Sequence, residues 1–122
     1  MKDQKSILVV DDDSGIRQLL TYVLQAKGYA VSSAVDGVEG LQKALDERPG
    51  LVITDVQMPN MDGVDMLRAI QRDNSAQRII VMTGYAVEDK IENVKASGIP
   101  LIEKPFEMAT LLPLVAEAFC ES

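Results

Sequence analysis

The chain of 122 residues contains no histidine. Without imidazole there is no Ser-His-Asp triad, no His-ligated zinc and no phosphohistidine carrier role. Nucleophilic or acid–base chemistry must therefore use Asp, Glu, Lys, Thr, Ser, Tyr or Cys. Cysteine is nearly absent: Cys120 stands alone, so no internal disulfide or thiolate metal cluster can form. That usage suits a reducing compartment, and a cytoplasmic location is expected. Long apolar runs are missing, since the longest are only four residues, against the roughly 20 that a spanning helix needs. The charged start leads into only Ile7 to Val10, too short for a signal peptide. Positive charge is in deficit: 12 basic residues face 19 acidic ones, for a net charge of −7. Such a segment repels phosphate backbones, so direct nucleic-acid binding is not expected. Neither a Gly-x-x-x-x-Gly-Lys loop nor a Gly-x-Gly-x-x-Gly turn is present, which removes the common nucleotide-binding devices.

What is present is a repeating alternation. Short apolar runs occur at Ile7–Val10, Tyr29–Ala34, Leu51–Thr54, Ile79–Met82 and Ile99–Ile102. Most are continuous and β-branched, as in strands buried on both faces of a parallel sheet. Between them lie helical spacings: Ile16, Leu19, Leu20, Val23 and Leu24, with Gly28 as a stop; Val38, Leu41 and Leu45, ended by Pro49-Gly50; and Met66, Leu67 and Ile70. Val87, Ile91 and Val94 form a fourth face, ended by Gly98, and Met108, Leu111, Leu112, Val115 and Phe119 a fifth. Strand followed by helix, repeated five times, predicts an α/β fold with helices on both faces of a parallel sheet. With 47% hydrophobic residues and no linker, one domain is expected to fill residues 1–122. Pro100 predicts that the last strand is an edge.

The polar residues after these strands carry the chemistry. Asp11-Asp12-Asp13 follows the first strand, Asp55 the third, Thr83 the fourth and Lys104 the fifth. Ligands in open α/β sheets bind at the carboxyl ends of the strands. A single Asp there is usually an N-cap of the next helix. Several acids brought to one sheet edge instead predict a divalent cation, and Mg²⁺ accepts one or two carboxylates while keeping several waters. A carboxylate can also act as a phosphoryl acceptor, with the metal, an ammonium and a hydroxyl supplying charge neutralisation.

The motifs Val-Val-Asp-Asp-Asp at 9–13, Asp-Val-Gln-Met-Pro-Asn-Met-Asp-Gly at 55–63, Met-Thr-Gly at 82–84 and Lys-Pro-Phe at 104–106 occur in order, each after a strand. In these the chain resembles the bacterial two-component response-regulator receiver domain over essentially its whole length. The stretch Ser14-Gly15-Ile16-Arg17 is most similar to stand-alone sporulation-phosphorelay receivers, and also to receivers of transcriptional activators. The resemblance implies a flavodoxin-like (βα)5 three-layer sandwich with strand order 2-1-3-4-5. It implies that Asp55 is phosphorylated, that Asp11, Asp12, Asp55 and the Gln57 carbonyl hold Mg²⁺ (or Mn²⁺), and that Thr83 and Lys104 engage the phosphoryl group. It implies a cis Lys104–Pro105 bond, and that Asp13 begins the next helix rather than binding metal. The donor is expected to be a phosphohistidine on a sensor histidine kinase or a histidine phosphotransfer protein, with a downstream output domain or protein as recipient of the signal.

Three positions depart from the family pattern. Leu101 replaces the usual aromatic residue, Gly98-Ile99 leads a stretch one residue short, and Gly84 replaces the commoner alanine. Tyr85 is a candidate to take over part of the aromatic switch. Gly84 is expected to leave a water path, and hence a short-lived phosphorylated form. Two rival readings are a receiver-like docking module that is never phosphorylated and a haloacid-dehalogenase-like phosphatase. The first normally loses an acid, the threonine or the lysine, yet all are here. The second wants Thr or Val where Gly15 stands, and a final acidic pair that is missing.

Overall fold

The computed structural model describes residues 5–56, 63–84 and 98–119. Five strands form one parallel sheet: β1 (Ser6–Val10), β2 (Ala30–Ala34), β3 (Leu51–Asp55), β4 (Arg78–Thr83) and β5 (Leu101–Glu103), in the order β2-β1-β3-β4-β5. Four helices are described: α1 (Ser14–Ala26), α2 (Gly37–Glu47), α3 (Gly63–Asp73) and α4 (Met108–Ala118). The helix predicted around Val87, Ile91 and Val94 lies outside the described residues, as do Gln57 and Tyr85.

Strand alternation sorts the core into two layers. Leu8, Val10, Val52, Ile79 and Val81 pack with Met66, Leu67 and Ile70 of α3 and Ala44 of α2. Ile7, Val9, Leu51, Ile53, Ile80, Met82 and Ile102 pack on the opposite face with Leu20 and Leu24 of α1 and Leu111 and Val115 of α4. Central strands with both faces covered are largely apolar, and β3 is buried from end to end, its Thr54 hydroxyl donating to the Asp55 carbonyl. The edge strand β2 is only half-buried over most of its length. Pro100 sits just before the short edge strand β5, where its missing N–H costs nothing and its carbonyl still accepts from Val81 N–H.

The helices start and stop where local chemistry dictates. The Asp13 carboxylate accepts from the N–H groups of Gly15 and Ile16 and so caps α1. Gly28 follows that helix with φ 98°, a left-handed conformation that suits glycine. The Asp36 side chain caps α2 through Glu39 N–H.

Two helix faces need correction: in α1 Leu19 is exposed and Leu20 and Leu24 carry the buried face, and in α2 the shift is larger. The spacing Val38, Leu41, Leu45 predicts the inward face of α2, yet Val38 and Leu45 are exposed and Leu41 is half-buried. The buried face is Gly37, Gly40 and Ala44. The reason is close approach: a Cβ on Gly40 would lie 2.8 Å from Met66 Sδ and 2.9 Å from Val10 Cγ1. Small residues let this helix sit low on the sheet, and larger ones are displaced to its rim.

Candidate functional site

The alternation that sorts the core also aims the site. Asp11 and Asp55 continue the same sheet face as Ile7/Val9 and Leu51/Ile53, and Lys104 continues the face of Ile102. Thr83 continues the opposite face, that of Ile79 and Val81. Backbone hydrogen bonds extend the pairing beyond the strands: Asp11 N–H to the Ala34 carbonyl, Val56 N–H to the Met82 carbonyl and Lys104 N–H to the Thr83 carbonyl. The loop starts that bear the polar side chains are therefore as well fixed as the sheet itself.

The acids converge. One carboxylate oxygen from each of Asp11, Asp12 and Asp55 lies within 4.8 Å of the others, Asp12 exposed and the other two buried. Lys104 stands between two of them, with Nζ 2.7 Å from Asp11 Oδ2 and 2.8 Å from Asp55 Oδ2. Its side chain is 17% exposed, and that of Asp11 is wholly buried. The other oxygen of Asp11, Oδ1, accepts from Asp13 N–H at 2.9 Å. Thr83 is buried at the end of β4. The Lys104–Pro105 peptide is cis, as the resemblance implies.

Charge at the site is incompletely balanced. Burial pushes the Asp11 carboxyl above the ordinary carboxylate range, with the Asp55 charge adding to the rise, although Lys104 and the Asp13 amide pull the other way. Burial also works against the Lys104 ammonium, but its bonds to Asp11 and Asp55 prevail and raise its pKa above the usual lysine value. Among the described residues one ammonium thus serves two buried carboxylates while a third stands at the mouth. Hard oxygen donors grouped this closely, with a surplus of negative charge, fit Mg²⁺ far better than a softer metal.

Of the residues singled out in the sequence, Asp11, Asp12, Asp55 and Lys104 meet in one pocket, and Thr83 sits at the end of the adjoining strand. The Gln57 carbonyl lies outside the described residues. Sequence reading gave Arg17 no part in the site, yet its Nη1 donates to the Asp11 carbonyl at 2.7 Å. The available signal was a cation at the start of a helix, where the macrodipole disfavours one.

Comparison with known proteins agrees with this geometry. Residues 7–116 match the response regulator receiver domain. The chain is 37% identical over 105 residues to sporulation initiation phosphotransferase F of Bacillus subtilis, covering 85% of each. It is 34% identical over 110 residues to the transcriptional regulatory protein PrrA of Mycobacterium leprae, covering 89% of this chain but 47% of that one, so it spans about half the length of such regulators. The crystal structure of the response regulator TrrA from Thermotoga maritima, in complex with Mg²⁺-BeF, superposes with a TM-score of 0.84 at 31% identity, covering 95% of this chain and all of that one. Shared sequence, shared strand order and an acidic pocket at the strand ends lead to one conclusion: the chain belongs to the response regulator receiver domain family.

Proposed function

We propose that this domain accepts a phosphoryl group on Asp55 and uses the resulting charge to switch its surface. The observation that carries the reading is the meeting of Asp11, Asp12 and Asp55 within 4.8 Å beside the Lys104 ammonium. Receiver domains are signalling modules rather than classical enzymes, and the catalysis here is limited to the domain's own phosphorylation and dephosphorylation. The residues fit Mg²⁺: Asp11, Asp12 and Asp55 would hold it, together with the backbone at Gln57, and Mn²⁺ would serve in its place. When bound, the metal neutralises the acids and the incoming phosphoryl oxygens.

The chain's own groups do the rest. An Asp55 carboxylate oxygen attacks phosphorus, the P–N bond of a donor phosphohistidine breaks, and the electron pair leaves with the imidazole, which takes up a proton. Lys104 already lies within hydrogen-bond distance of Asp55, so its ammonium can follow the new negative charge with little movement. Thr83 offers a hydroxyl from the next strand. Phosphorylation adds roughly −1.5 to −2 charge, and groups drawn toward it bias a two-state surface that partners distinguish.

The partners follow from the chemistry. The donor is a sensor histidine kinase or a histidine phosphotransfer protein, since this chain has no histidine. The recipient of the signal is an output domain or protein. The setting is the cytoplasm, the segment contacts no nucleic acid directly, and residues 1–122 act as one receiver domain. The acids, threonine and lysine whose loss marks a non-phosphorylated docking module are all retained. Incubation with acetyl phosphate and Mg²⁺, read by intact mass, tests the reading. One phosphoryl group should add, and its location at Asp55 should follow from peptide mapping. An unchanged mass would sink the proposal.

A further inference from the structure

We propose that Arg17 is a positioning residue for the metal-holding carboxylates, fixing the backbone of the loop that carries Asp11 and Asp12. The proposal rests on the receiver reading above. Arg17 stands one turn into α1, and its guanidinium reaches back past the helix start to the Asp11 carbonyl, 2.7 Å from Nη1. That bond spans six residues and closes the β1–α1 loop into a ring. Inside the ring, Asp13 N–H holds Asp11 Oδ1, the Asp13 side chain caps α1, and Arg17 N–H donates to the Asp13 carbonyl at 3.1 Å.

The target atom is what gives the bond its reach. The Asp11 carbonyl belongs to the planar Asp11–Asp12 peptide unit, so holding that oxygen fixes the plane from which Asp12 departs. Asp11 is also secured through its amide and both carboxylate oxygens. Asp12 is exposed, and among the described residues no hydrogen bond or ion pair holds its carboxylate. Its placement therefore depends on the backbone, and the backbone is pinned there by Arg17. A cation near the amino end of a helix has the wrong sign for the macrodipole. Its presence needs another reason, and charge-assisted support of the acid-bearing loop supplies one.

Two effects of Arg17 on Mg²⁺ oppose each other. Its positive charge repels a second cation, so neutralisation alone would tighten binding. Its hydrogen bond organises the ligands, and removing such outer support typically weakens metal affinity by about ten- to a hundredfold. The structure favours the second effect, because the bond is short and charge-assisted.

The test is calorimetric titration of MgCl₂ into the full chain and its Arg17→Met, Arg17→Lys and Asp12→Ala variants. Arg17→Met should bind about tenfold more weakly. Arg17→Lys keeps the charge and can donate one bond to the same carbonyl, so its affinity should fall between those of the wild type and Arg17→Met. Wild-type or tighter affinity in Arg17→Met, with Asp12→Ala weakened, overturns the role of Arg17 and leaves the site intact. Unchanged affinity in Asp12→Ala overturns the site itself, and this inference with it. Hydrogen exchange separates positioning from general stability. The Asp13 amide should exchange faster in Arg17→Met while the β3 amides keep wild-type protection. Protection lost throughout β3 would assign Arg17 to the fold and overturn the proposal.

Discussion

The two ends of the sheet are built from the same five strands and solve opposite problems. At the amino ends, neutral groups are matched. Gly50 N–H donates to Ser6 Oγ, and the buried Gln77 amide donates to the carbonyls of Pro49 and Arg78. Phe119, at the end of α4, stacks on Tyr29 with ring centroids 5.3 Å apart, and Lys5 Nζ lies 5.8 Å from the Phe119 ring centre. At the carboxyl ends acids outnumber cations among the described residues: two buried acids share one lysine, and a third stands beside them. The amino ends spend their polar groups on holding the fold. Among the described residues the carboxyl ends keep a surplus of negative charge, which a cation from solution would relieve. Among the described residues every buried side-chain polar atom has a hydrogen-bond partner, so it is charge balance, not polar satisfaction, that is left open where function requires it.

If the two ends are separable in this way, changes at one should leave the other's property intact. The largest effect is expected from Asp55→Asn, which should abolish phosphorylation by acetyl phosphate with Mg²⁺. Intact-mass labelling that persisted would remove Asp55 from its role. Next, Asp12→Ala should weaken Mg²⁺ by more than about tenfold, or more than 1.4 kcal/mol, with little change in metal-free unfolding, because Asp12 is exposed. Calorimetry and a urea melt read the two quantities independently.

At the other end, Gly50→Ala should do the reverse. Its Cβ would lie 2.5 Å from Phe119 Cε1, so the ring must shift against Tyr29. Overpacking of this kind costs about 1–3 kcal/mol. A urea melt should shift accordingly while Mg²⁺ affinity stays put, and a large loss of affinity would break the proposed separation.

The smallest expected effect concerns pH. Asp11 has a raised pKa in the fold, so its stabilising contribution is present below the ordinary carboxylate value of 3.8 and is lost as pH rises through the higher folded value. Metal-free protein should therefore lose this contribution on going from acid toward neutrality, and Asp11→Asn should flatten that part of the profile. Lys104 works in the same direction at the alkaline limit: its raised pKa gives stability that is present below 10.5 and lost above the folded value. Thermal melts across pH, with and without Mg²⁺, check both signs. An identical profile in the Asn variant would show that Asp11 burial carries no such cost.

Much of this was legible in the sequence because it depends on short-range pattern. Continuous β-branched runs require strands covered on both faces, and their alternation with helical spacings requires a layered α/β fold. An acid, a threonine or a lysine directly after a strand must lie at the carboxyl edge of the sheet, whichever strands are neighbours. Spacing misplaces the buried face of α2 for a physical reason. Hydrophobic spacing ranks Val38 and Leu45 above glycine, but the distance between α2 and the Met66–Val10 surface left no room for a Cβ at Gly40. Glycine marks a close approach only once the approaching surface is known.

By itself, then, the sequence determined which elements form, their order along the chain, and which residues reach the reactive edge, since periodicity and strand-end placement are local properties. Tertiary structure decided how those residues share charge: Lys104 between Asp11 and Asp55, and Arg17 on the Asp11 carbonyl. The Lys104 contacts join segments 93 and 49 residues apart, and the Arg17 bond, though it spans only six residues, depends on the path the chain takes between β1 and α1; no spacing within one segment encodes either.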